Sequence, residues 1–227
     1  MFYLDPTYMM YALPGLLLAL WAQAVVRGTF ARYARVPTST GVTGASVAEF
    51  LMQRTGLRFG VNNIPGMLTD FYNPANKTLN LSQSSVQNSV ASVAVVAHEF
   101  GHAMQDAQNY VPLKLRGAIV PAVSLGSWVG PILFFIGIFM QSYNLALAGI
   151  IAFAATAVFA LITLPVELDA SNRAMKLLAS NGVLVGEELT GARKVLNAAA
   201  FTYVAALAQS LLQLLYFVSI LAGRRRA

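Results

Sequence analysis

Apolar residues in this chain gather into four long stretches separated by polar ones. The windows run from about Tyr8 to Val26, Ala118 to Met140, Leu145 to Leu164 and Ala199 to Ala222. Each holds about the 20 mostly apolar residues that a membrane-crossing helix needs. The pattern predicts a mainly α, polytopic membrane protein with about four transmembrane helices. The link Gln141-Ser-Tyr-Asn144 is short and polar, so the second and third windows form a helical hairpin. Gly126 and Gly130 lie four apart in the second window, a spacing that permits close helix packing. The expected organisation is an anchor at 1–26, a polar region at 27–117, the hairpin at 118–164, a second polar region at 165–198, and a last span with a basic tail at 199–227.

The polar regions carry a finer pattern. Ser46 to Thr55 is apolar at helical spacing and stops at Gly56, a glycine stop signal. Leu68 to Tyr72 and Thr78 to Leu81 read as two strands of a small β-hairpin around Asn73-Pro-Ala-Asn76. Asn76-Lys77 supplies the tight part of that turn, since Asn tolerates left-handed backbone. Ser82 or Ser84 is expected to cap a long helix running to about Asp106. Pro165 suits the first turn of a new helix after the third span.

Composition agrees with the pattern. The chain has 227 residues, 57% hydrophobic and 11% charged, whereas soluble domains carry about a quarter charged residues. It contains no cysteine, which excludes disulfides, thiolate metal sites and a cysteine nucleophile. The net charge of +6 is expected to orient the chain in a bilayer, not to bind nucleic acid. Region 27–117 holds eight Lys/Arg, region 165–198 four, and the hairpin link none. Positive-inside counting places both polar regions in the cytoplasm. The first window has Asp5 before it and Arg27, Arg32 and Arg35 after it, which favours an uncleaved anchor over a signal peptide. Arg224–Arg226 is expected to meet lipid headgroups, although four full spans place it on the outer side.

One short stretch carries chemistry. Residues 97–102 read A-H-E-F-G-H and contain both histidines of the chain. On a helix, His98 and His102 share one face one turn apart and can reach a single Zn²⁺. Glu99 between them can hold a water and take its proton. Shuffling this composition yields such an arrangement on the order of once in a few thousand chains. Catalytic zinc takes three protein ligands. With no third histidine and no cysteine, the third must be one of Asp5, Glu49, Asp70, Asp106, Glu167, Asp169, Glu187 or Glu188. Asp106 lies too far along the helix of His102. The hairpin returns the chain to the membrane face it left, so Glu167, directly after the third span, is the expected ligand.

These residues resemble the YugP-like family of membrane-bound neutral zinc metallopeptidases, and more distantly the HtpX-type membrane proteases. The resemblance lies in LTDFYNPANKTLNLS, AHEFGHAMQ, LPVELDASNRA and LNAAAFTYVAA, which with the helix order cover nearly the whole chain. It implies a zincin-like cytoplasmic helix bearing the H-E-x-x-H motif, His98, His102 and Glu167 as metal ligands, and Glu99 as catalytic base. The chain departs from the family where D-H-Y-D-P is replaced by Asp70-Phe-Tyr-Asn-Pro74. It departs again where the HtpX-type proteases carry an aspartate that braces a histidine, a position held here by Ser171. Asp70, Asp106 or Asp169 is then a candidate to serve instead.

The expected activity is zinc-dependent hydrolysis of peptide bonds in membrane or membrane-proximal proteins, with the lipid bilayer as the other partner. A regulatory membrane partner or a second copy is compatible with the same pattern. For the developing oxyanion, Arg173 is the first candidate donor, with Tyr110 and Tyr203 behind it. The strand Thr78 to Leu81 is a candidate to pair with an extended substrate. Two rival readings stand beside this one. A site-2-type intramembrane protease would use Asp169 as third ligand, but Ser82, Gln83, Ser84, Ser85, Gln87, Asn88, Ser89 and Ser92 make the region before His98 too polar for a span. A zinc-binding scaffold without turnover would not need Glu99.

Overall fold

The computed structural model describes residues 6–224. The elements run α1 (Pro6–Tyr33), α2 (Gly44–Thr55), β1 (Gly60–Asn63), β2 (Phe71–Asn73), β3 (Thr78–Leu81), a 3-10 turn (Gln83–Val86), α3 (Val90–Ala107), α4 (Val111–Phe139), α5 (Tyr143–Ser180) and α6 (Glu187–Arg224). Among the described residues, α1, α4, α5 and α6 are long and apolar enough to cross a membrane. The protein is a mainly α, polytopic membrane protein. Of the basic tail, Arg225 and Arg226 lie outside the described residues, as does Asp5.

The chain divides into two compact units. The first holds residues 1–23, 114–164 and 201–227. Its helices pack through small residues and aromatic rings. A Cβ on Gly126 would come within 2.3 Å of the Ala152 carbonyl, and one on Gly130 within 2.8 Å of the Phe153 nitrogen. Only glycine permits this approach of α4 to α5, as the four-residue spacing predicts. Phe134 stacks on Phe217 with centroids 4.3 Å apart, and Tyr8 meets Tyr216 edge-on at 5.0 Å.

The second unit holds residues 24–113 and 165–200. Its core joins Phe30 of α1, Val47 and Leu51 of α2, Val93, Ala97 and Phe100 of α3, Leu178 of α5 and Leu196 of α6. Fully burying one large apolar side chain is worth about 1.5–3 kcal/mol, so this cluster anchors α3 firmly. Thr43 caps α2 in a capping box with Ser46, and Gly56 ends it in the left-handed conformation. Glycine adopts that conformation without a Cβ clash.

The sheet differs from the expected two-stranded hairpin. Its order is β1-β3-β2, with β1 parallel and β2 antiparallel to β3. Strand β1 escapes sequence reading because it has four exposed residues without alternation. Strand β2 begins only at Phe71, since Leu68 has a left-handed φ of 57° and cannot sit in a strand. In the turn, the left-handed residue is Lys77, not Asn76. Thr78 to Leu81 is the central strand, so both of its edges are already paired and it cannot add a substrate strand.

Two helix boundaries also differ. Ser89 caps α3, accepting from the Ser92 backbone N–H. Ser82 precedes only the 3-10 turn and makes no side-chain cap bond there. No new helix begins at Pro165: α5 runs unbroken from Tyr143 to Ser180 with Pro165 inside. A proline removes one helical hydrogen bond, a loss that helices of membrane proteins tolerate when neighbours re-satisfy the freed groups.

Candidate metal centre

Helix α3 carries His98, Glu99 and His102, and α5 carries Glu167, Asp169, Ser171 and Arg173. The two helices touch at Gly101. A Cβ there would lie 2.4 Å from the Ala170 carbonyl oxygen, so a larger residue would force the helices apart. This contact brings residues 69 positions apart into one cluster. His98 Nε2 lies 3.1 Å from Glu167 Oε2, and His102 Nε2 lies 3.6 Å from the same oxygen. One ligand atom from each of His98, His102 and Glu167 falls within 4.8 Å of the others, and the three could hold a metal ion.

The donor set suits zinc. Ligands at 2.0–2.2 Å around a tetrahedral ion are separated by about 3.3 Å. Both histidine–carboxylate distances bracket that value. Two imidazole nitrogens and one carboxylate also leave a fourth position open, as a catalytic zinc site requires.

Buried polar groups orient both rings. Gln105 is fully buried. Its Nε2 donates to the Val166 carbonyl at 2.8 Å and to Asp169 Oδ2 at 2.8 Å. Both of those partners can only accept, so the amide orientation is determined. Its Oε1 therefore accepts from His102 Nδ1, 2.9 Å away. With Nδ1 committed to Gln105, Nε2 is the ring nitrogen turned toward Glu167 and the one that would reach a metal ion. His98 is set in a similar way, with Nδ1 3.1 Å from Ser171 Oγ.

Glu99 stands beside the ligands on α3. Its Oε2 accepts the Tyr72 backbone N–H at 3.0 Å, which ties the catalytic candidate to strand β2. Burial pushes the Glu99 carboxyl above the usual glutamate range, against the pull of the two histidines and the Tyr72 N–H. Burial alone would lower His102. The Glu167 hydrogen bond and the Glu99 and Glu167 charges outweigh it and raise the ring's pKa.

The remaining acids have other duties. Asp70 accepts from the Ser82 backbone N–H at 2.7 Å, from Ser82 Oγ at 2.6 Å and from Ser85 Oγ, pinning the loop that leads into α3. Asp106 accepts from the Tyr72 hydroxyl at 2.8 Å and pairs with Lys77, clasping the β2–β3 hairpin to the end of α3. Burial and that Asp106 bond raise the Tyr72 phenol. Asp169 lies two residues beyond Glu167 and accepts from Gln105 and Arg173. Of the three acids proposed to replace the missing aspartate brace, it alone reaches a histidine, and it does so through Gln105.

Arg173 is outside the ligand cluster. Its Nε donates to Asp169 and its NH1 to Gln108 Oε1, while the guanidinium lies 5.7 Å from the Tyr110 ring centroid. Tyr203 belongs to the other compact unit.

Comparison with known proteins identifies the lineage. The model of a family described as "putative neutral zinc metallopeptidase" matches residues 8–222. The chain belongs to this family. Among curated members, the "putative membrane protease YugP" of Bacillus subtilis (strain 168) is 42% identical over 210 residues, 92% of this chain and 93% of that protein. No solved structure matches. A zinc peptidase family and a ligand set of two histidines and one glutamate agree on the metal.

Gln105 and the Tyr72 N–H escape sequence reading. Gln105 carries one usable signal: it falls three positions after His102, and i, i+3 residues are neighbours on a helix. The Tyr72 N–H has none, because a backbone donor exists at every non-proline position.

Proposed function

We propose that this protein is a membrane-bound zinc endopeptidase that hydrolyses peptide bonds of membrane or membrane-proximal proteins at the cytoplasmic face of the bacterial inner membrane. The observation that carries this reading is Glu99. It stands beside His98, His102 and Glu167, partly exposed, with one oxygen held by the Tyr72 N–H.

Bound zinc supplies Lewis acidity that polarises the scissile carbonyl and acidifies water. Glu99 accepts a proton from the attacking water. The water oxygen bonds to the carbonyl carbon, the C–N bond breaks, and Glu99 returns the proton to the leaving amine. Glu99's raised pKa in the ion-free protein suits a group that must first take and then give a proton. Gln105 and Ser171 hold the histidine rings so that neither turns during the cycle. Arg173 can support the oxyanion only by leaving Asp169 and Gln108. In its resting position it buttresses Asp169 and, through it, Gln105.

The test is cleavage of a membrane-protein substrate in proteoliposomes by parent and Glu99→Gln protein, each with its zinc content measured. Cleavage by the parent alone, at equal zinc, supports the peptidase. Equal zinc without cleavage by either protein would favour a zinc-binding scaffold. The site-2 alternative finds no support in the geometry, since α3 is not among the four candidate spans and Asp169 faces Gln105 and Arg173.

A further inference from the structure

The membrane unit carries an open recess of about 1140 Å³, formed by α1, α4, α5 and α6. Pockets for small molecules run to about 1,000 Å³, so this one is wide enough for a piece of polypeptide. Its walls are rings and aliphatic chains, among them Phe135, Phe139, Phe153 and Phe217. Phe139 and Met140 at the end of α4 are strongly exposed, so the cavity opens sideways toward lipid.

Two amides break this apolar lining. Gln209 and Gln213 lie one turn apart on α6 and both line the cavity. They straddle the middle of the apolar stretch Ala199 to Ala222, hence the middle of the span. Two of the hydroxyls in the wall are satisfied by their own helices: Thr156 donates to the Phe153 carbonyl and Ser210 to the Leu207 carbonyl. Neither glutamine amide makes a hydrogen bond among the described residues. Each offers two donors and an acceptor, and such groups are costly to leave unpaired in hydrocarbon. Gly15 of α1 packs against Gln209, where a Cβ would meet its Cα and Cγ at 3.3 Å.

We propose that this cavity receives a transmembrane segment of another protein, with Gln209 and Gln213 bonding to a polar side chain or an unpaired backbone group at mid-bilayer. A lipid acyl chain fits the walls but has no polar atom at that depth to meet two carboxamides. A second copy is disfavoured by shape: a two-fold contact sets the same patch against itself, concave against concave, and leaves both recesses unfilled. Interhelical amide bonds are the usual means by which polar residues in a span select a partner helix. That the guest is a substrate rests on the peptidase reading. The binding itself does not.

The absence of cysteine permits a clean experiment. Glu99→Gln protein carrying Ala206→Cys in the cavity wall is reconstituted in phosphatidylcholine–phosphatidylglycerol vesicles. Guest peptides are single leucine–alanine spans with one cysteine and a central asparagine, or leucine in its place. The expected result is about tenfold tighter binding and faster disulfide trapping of the asparagine guest. Gln209→Met with Gln213→Met removes that preference, while zinc content and melting temperature stay at the parental values. Equal trapping of both guests by the unsubstituted glutamines overturns the proposal. So does trapping of neither guest together with phospholipid retained in the cavity by native mass spectrometry, or with Ala206→Cys self-crosslinking, which would mark a second copy. Zinc loss in Glu99→Gln would strike at the metal site and leave the cavity result standing.

Discussion

Gly101 on α3 lies against Ala170 on α5 so closely that an added Cβ would sit 2.4 Å from the Ala170 carbonyl oxygen. The histidines and Glu167 share one ion-sized space because that contact is bare of side chain. Gly101→Ala must push apart two helices that approach within van der Waals contact there. Overpacking of this kind costs about 1–3 kcal/mol. A lower melting temperature and weaker zinc binding in competition with a chelator are expected together.

Glu167→Ala leaves two imidazoles and no carboxylate. Loss of stoichiometric zinc by elemental analysis is expected, with the helical circular dichroism retained. Asp169→Asn is expected to keep its zinc, because an amide oxygen still accepts from Gln105. The opposite pattern would transfer the ligand role to Asp169.

Glu99→Gln removes the proton acceptor and keeps the size of the side chain. Cleavage is expected to fall by about 10²–10⁴-fold with zinc unchanged. Arg173→Gln serves as a comparison. If Arg173 only braces Asp169, its zinc affinity falls along with its rate. An oxyanion donor would lose kcat alone.

Gln105→Leu deletes the acceptor that fixes the His102 tautomer. Outer partners of metal-bound histidines typically govern affinity by about 10–100-fold, and a loss in that range is expected in zinc competition. Gln105→Glu restores an acceptor for His102 Nδ1–H but sets a carboxylate against Asp169 and the Val166 carbonyl, so only partial recovery is expected.

Without the ion, two groups of the site hold protons more tightly in the folded chain, while the two histidines, against the effect of burial, hold the Glu167 carboxyl below its usual range. Both Glu99 and His102 have raised pKa values in the folded chain, so the folded state binds protons more tightly than the unfolded one at both groups. Their contribution to stability is complete below the ordinary glutamate and histidine ranges and is lost as pH rises through the shifted values. The melting temperature of chelator-treated protein is expected to fall from mildly acidic to mildly alkaline pH. Zinc should offset that fall by mass action, and Glu99→Gln should flatten part of it.

His98, Glu99 and His102 are legible because a helix repeats every 3.6 residues and the chain has no other histidine. Glu167 is legible through chain order, since a two-helix excursion must return to its starting face. The tautomer-fixing groups are hidden, because amides and hydroxyls occur throughout the polar regions and only packing shows which are buried. Pro165 misleads. Its preference for the first helical turn is a local rule, and α5 overrides it by continuing straight through. The sheet misleads for a related reason: β1 pairs with β3 across a long loop, and no local pattern announces a parallel partner. That pairing is what closes the edge at which a substrate strand was expected.

The split of the ligand set between α3 and α5 has a consequence for biosynthesis. The ribosome makes the two histidines first, and Glu167 follows 69 residues after His98, once α4 and most of α5 exist. A nascent or truncated chain that stops before that point carries Glu99 but only two of the three candidate ligands. A complete candidate ligand set is then reached only by chains whose translation has passed α4 and most of α5, so half-made copies lack the carboxylate of the metal centre.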